Sequence, residues 1–113
     1  MPARYWILNF MTDGDPGREW IGQIYRVTSR GGLKGFHNPD EMLDPKHVAE
    51  RFRESGRVAE GPYTLRDAHR KIYGERNDAF RSGTWPAMFR KIKEAFKPED
   101  FVRSLEAYAT QDG

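Results

Sequence analysis

The sequence predicts a small α+β domain: an N-terminal antiparallel sheet, a hairpin joined by at most a short third strand, followed by about four helices packed on one face. Two observations predict it. Aromatic and β-branched residues concentrate before residue 30, and from Asp44 onward apolar residues recur at helical spacing between start and stop signals. A length of 113 residues allows one core, hence one domain over residues 1–113.

Arg4-Tyr5-Trp6-Ile7-Leu8-Asn9-Phe10 is rich in aromatic and branched residues and stops at the turn-forming stretch Thr12-Asp13-Gly14-Asp15-Pro16-Gly17. Trp20 to Thr28 reads as its hairpin partner, with Ile21, Gln23, Tyr25 and Val27 on one face and Trp20, Ile24 and Arg26 on the other. Gly31 to Gly35 has room for a short third strand before Asn38-Pro39 breaks the pattern. Asp44 before Pro45 opens a helix that runs to about Glu54, with Val48, Ala49 and Phe52 as its apolar stripe and Gly56 as its exit. Arg57 to Tyr63 reads as extended.

Thr64 with Asp67 resembles a capping box; Leu65, Ala68 and Ile72 follow at helical spacing, and Gly74 is expected to end that helix. Thr84 is expected to cap a third helix, with Pro86 in its first turn and Trp85, Met88 or Phe89, Ile92 and Phe96 on its apolar side. Pro98 opens a fourth, with Glu99 and Asp100 at its positive dipole end and Phe101, Val102, Leu105 and Tyr108 on the buried stripe. No repeat or linker divides the chain.

The absence of cysteine excludes disulfides, thiolate metal sites and cysteine nucleophiles, and points to a reducing, cytoplasmic setting. The apolar run at the N-terminus is too short for a membrane span or a signal segment, so no membrane partner is expected. With 19 Lys and Arg against 17 Asp and Glu the net charge is only +2. The bias is local: residues 61–95 hold eight cations against four acids.

Catalytic and metal signatures are missing. His37, His47 and His69 do not have zinc spacing and no thiolate completes a set, so they are expected at the surface or at helix ends. Asp13-Gly14-Asp15 lacks the later oxygen ligands of a calcium loop and reads as a turn. No serine sits in a nucleophile elbow, and Gly31-Gly32-Leu33-Lys34-Gly35 lacks the end of a phosphate loop. Neither a catalytic residue nor a cofactor is assigned. Arg4-Tyr5-Trp6-Ile7 is similar to the first strand of the EVE branch of PUA-like RNA-modification readers, but the later Gly-Asp strand of that barrel is absent. Tyr25-Arg26-Val27 resembles the first strand of some ADP-ribosyltransferase toxins, without their Glu-x-Glu or Gln-x-Glu pair. Neither resemblance supplies a site.

What remains is a basic segment interleaved with aromatics. Arg70, Lys71, Arg76, Arg81, Arg90, Lys91 and Lys93 are expected to meet phosphates or carboxylates, with Tyr73 as a stacking residue. The expected function is a non-enzymatic module that binds nucleic acid or an acidic protein surface. A small inhibitor or adaptor of the bacteriophage kind is the alternative, since Arg, Tyr and Trp are favoured interface anchors. A toxin-like enzyme would need a polar cluster around His69, Tyr73 and Glu75, or around Asp13 and Asp15.

Overall fold

Alternation in Tyr5-Trp6-Ile7-Leu8 sends apolar side chains to both faces of the first strand, and the architecture follows from the need to cover both. The computed structural model describes residues 3–9, 21–54 and 57–112, the last three of these as backbone only. Strands Tyr5–Asn9 (β1), Gln23–Val27 (β2), Leu33–Gly35 (β3), Met42–Leu43 (β4) and Val58–Tyr63 (β5) form one antiparallel sheet in the order β4-β3-β2-β1-β5. Ile7 stands opposite Ile24 on β2 and opposite Glu60 on β5. The paired β1 and β2 match the expected hairpin; its turn at Asp13-Gly14-Asp15, together with Trp20 and Gly56, lies outside the described residues.

The fold class is α+β, as expected, but the helices divide between the two faces of the sheet. Trp6, Leu8, Tyr25, Val27 and Leu33 on one face pack with Val48 and Phe52 of α1 (Pro45–Arg53) and with Phe101 and Leu105 of α5 (Pro98–Asp112). On the other face Ile7 and Ile24 meet Ala68 of α2 (Leu65–His69) and Ile72. A third cluster joins Val58 to Ala79 of α3 (Asn77–Ser82) and to Trp85 and Phe89 of α4 (Trp85–Ala95). Leaving Ile7 and Ile24 uncovered would expose two large apolar side chains, each worth about 1.5–3 kcal/mol when buried.

The helix around residue 70 differs from expectation. Thr64 accepts the predicted cap bond from the Asp67 N–H at 3.2 Å. The chain then passes straight through Gly74: α2, a π-helical stretch Arg70–Arg76 and α3 form one continuous run. It ends at Gly83, whose φ of 80° is the left-handed exit that favours glycine. Gly74 is a weak helix former, not a terminator, where Ile72 before it and Arg76 after it are buried. Asp44 and Thr84 stand at the expected N-cap positions, each with a proline in the first turn that follows. Neither Asp44 nor Thr84 makes a side-chain cap bond; the Thr84 hydroxyl instead bonds to Ala79 O at 3.4 Å and shares a 2.9 Å bond with Ser82.

Candidate functional site

Of the cations that the sequence puts forward, one is displaced into the interior. Arg76 is 1% exposed. Its Nη1 donates to Asn9 Oδ1 at 2.9 Å and to Ile21 O at 2.6 Å, its Nη2 donates to Glu60 at 2.7 Å, and its guanidinium lies 5.5 Å from the Trp85 ring centre. A guanidinium so placed cannot meet an external phosphate, so Arg76 is a structural residue and not a contact residue. Trp85 and Phe89, which interleave the basic segment, are likewise core.

The other cations are on the surface. Arg70 lies 3.7 Å from Asp67, Lys71 2.8 Å from Glu75 and Arg81 3.9 Å from Asp78. Such exposed pairs contribute about 0–1 kcal/mol each, so they do not withhold these side chains from a stronger anion. Arg90, Lys91 and Lys93 project from the solvent side of α4. The structure puts Arg70, Lys71 and Tyr73 on one helical run and the three α4 cations on another.

Tyr73 is the residue around which a site assembles. The aromatic set begins with Phe36, just beyond β3 and held by its N–H bond to Ile24 O at 3.0 Å. The Gly35 N–H bonds to Glu41 O at 2.8 Å and the Glu41 N–H to Asn38 O at 2.9 Å, closing a tight loop that presents His37. The Tyr73 hydroxyl and His37 Nε2 share a 2.9 Å hydrogen bond. Behind them the His69 ring stacks near-parallel on His37 at 6.2 Å, edge-on to Phe36 at 5.7 Å and to Tyr73 at 5.4 Å. His69 Nε2 is buried with no partner among the described residues.

Tyr73 and His37 stand over a cleft of about 270 Å³ that is also lined by Phe36, Ile72, Gln23 and Glu41. Glu41 is its charged member among the described residues, and it accepts a short hydrogen bond from the Tyr25 hydroxyl. Burial, and then the Glu41 carboxylate, push the Tyr25 phenol well above its ordinary range, so Tyr25 stays protonated and Glu41 stays an acceptor. Gln23 and Glu41 also border an open hollow of about 550 Å³ on the far side, where Arg51 and Arg57 are found. Among the described residues no group of three or more His, Asp or Glu is arranged to hold a metal ion, and no helix is long and apolar enough to cross a membrane.

The chain matches no protein-family model, no curated protein and no solved structure, so the chemistry is read from its own side chains. His37, Phe36 and Glu41 were missed in the sequence because they join Tyr73 only through the packing of the helical run on β2 and β3. The one local signal was His69 and Tyr73 at i and i+4, the spacing that places two rings on one helix face.

Proposed function

We propose that this chain is a non-enzymatic module that binds single-stranded nucleic acid, with a base taken up against Tyr73 and His37 and the phosphates met by the surrounding cations. The observation that carries the reading is Tyr73 itself. It is 54% exposed, yet its hydroxyl is fixed to His37 at the mouth of an aromatic cleft. A large ring held rigidly in solvent is a stacking platform, worth about 1–3 kcal/mol per base, with little ordering cost on binding. A cleft of 270 Å³ falls just under the roughly 300 Å³ at which small-ligand pockets begin, which suits one base and excludes a whole cofactor.

Arg70 and Lys71 flank Tyr73 on the same run, and Arg81, Arg90, Lys91 and Lys93 extend the basic surface. The test is binding of a labelled single-stranded RNA along a salt gradient. Three neutralised phosphates give a slope of about −2 in log K against log salt. Tyr73→Ala is expected to weaken binding about 5- to 150-fold in a protein that still melts cooperatively. Salt-indifferent binding, or full affinity in the Tyr73 variant, overturns the reading.

A second reading, a protein-binding inhibitor or adaptor, is favoured by the exposure of Met42 at 59% and Phe80 at 40% beside that of Tyr73. Nuclease treatment separates the two: a partner retained after digestion is a protein, and one lost is nucleic acid.

A further inference from the structure

We infer that the cleft beside Tyr73 selects guanine, through the Glu41 carboxylate, over the other three bases. The inference rests on the nucleic-acid reading and deepens it. Glu41 lines the cleft, and a phosphate would meet a like charge there, so the phosphates must remain outside. What the carboxylate favours is a ring edge made of donors. Its two oxygens offer about four acceptor positions, and the Tyr25 hydroxyl occupies one of them.

Among the bases, guanine alone presents two adjacent, parallel donors, N1–H and the N2 amino group, which match a carboxylate two for two. Adenine and cytosine offer one amino group beside a ring-nitrogen acceptor, and the acceptor is repelled. Uracil offers one N–H between two carbonyls, both repelled. Stacking on Tyr73, to which the His37 ring stands at 74°, also favours the larger purine ring over a pyrimidine. The neighbouring hollow, which shares Gln23 and Glu41 with the cleft, carries Arg51 and Arg57. Asp40 and Glu41 line the same hollow, so its two cations are matched by two carboxylates and it adds no net positive path for the backbone of a bound base.

The preference is testable with four fluorescein-labelled pentamers of uridine in which the central position is G, A, C or U, titrated at one fixed, moderate salt concentration. The expected result is tighter binding of the central G by about tenfold or more, the scale of one two-bond base contact. Glu41→Gln keeps an acceptor for Tyr25 but turns an amino group toward the guanine donors. It should erase the preference and leave the residual, salt-sensitive binding in place. Equal affinity for all four pentamers, or a preference for A or C, overturns the guanine inference while the nucleic-acid reading stands. No binding of any pentamer, in a protein with an intact melting transition, overturns both. Because the wild-type order of the four alone decides the matter, a Glu41 variant that fails to fold does not rescue the inference.

Discussion

Arg76→Ala is the perturbation whose cost the structure specifies best. The side chain is 1% exposed and supplies three hydrogen bonds, to Asn9 Oδ1, Ile21 O and Glu60. Truncation leaves Asn9, itself fully buried, and the Ile21 carbonyl without their donor. Each orphaned neutral group costs about 1–3 kcal/mol. Glu60 keeps 28% of its side chain in water, so its unpaired charge is partly relieved and its share falls well below the value for a sealed pair. A cavity opens against Trp85 as well, where the guanidinium lies 5.5 Å from the ring centre. Together these come to about 3–5 kcal/mol, comparable to the lower end of whole-domain stability. At about 4 °C per kcal/mol for a domain near this size, the melting temperature should fall by roughly 12–20 °C. Glu60→Gln keeps an acceptor for Arg76 and leaves both neutral acceptors with their donor, so it should cost less than the truncation even though the buried guanidinium loses its counter-charge. Urea unfolding with an unchanged m-value is the assay. If Arg76→Ala melts within a few degrees of the native protein, or Glu60→Gln is equally damaging, the assignment of the cost to the buried neutral acceptors is wrong.

High pH and two glycines supply the remaining tests. Burial first, and then Glu41 for Tyr25 and Glu60 for Tyr63, raise both phenols above the ordinary tyrosine value near 10. The folded state thus holds protons that the unfolded chain releases. The tyrosine contribution is intact below about pH 10 and is lost above it, with a slope of up to about 1.4 kcal/mol per pH unit for each group. Denaturation between pH 9 and 11 should show the decline and Tyr25→Phe should flatten it; an unchanged slope in that variant would sink the assignment. Gly74→Ala meets nothing within 4 Å at an ordinary helical φ and should stabilise by about 0.5–1 kcal/mol, whereas Gly83→Ala, at φ 80°, should destabilise by about 1–2 kcal/mol. The reverse order in thermal melts would show that the helical run ends at Gly74 after all.

Strands and helix starts were legible because they depend on neighbours in sequence. Tyr5 to Asn9, Gln23 to Val27 and the Thr64 cap are local patterns of alternation and hydrogen-bonding reach, and they form where expected. The two-sided cover of the sheet was also encoded, in Ile7 against Trp6 and Leu8, but an apolar residue on each face does not say which helix lies over it. The short β4 strand was missed because Met42 and Leu43 are strand only through pairing with Lys34 and Leu33. His37 met Tyr73 across 36 positions of sequence, and no local rule joins them.

The misplacement of Arg76 and the early end given to the helix at Gly74 have one cause. Buried positions Ala68, Ile72 and Arg76 are spaced by fours, and in a regular α-helix each such step drifts about 40° around the axis. Two steps would carry residue 76 off the sheet and toward solvent, where a charged residue is expected. The π stretch Arg70–Arg76 has wider turns, which cancel that drift and turn Arg76 back onto Asn9 and Glu60. The same stretch carries Tyr73 on its outer side, over His37. The buried guanidinium therefore anchors one side of a widened turn whose other side presents Tyr73. Loss of Arg76 should loosen the Tyr73–His37 contact as well as the core, so Arg76→Lys, which keeps the charge and removes no surface cation, is expected to weaken the proposed RNA binding in the salt titration at temperatures where the fold is intact.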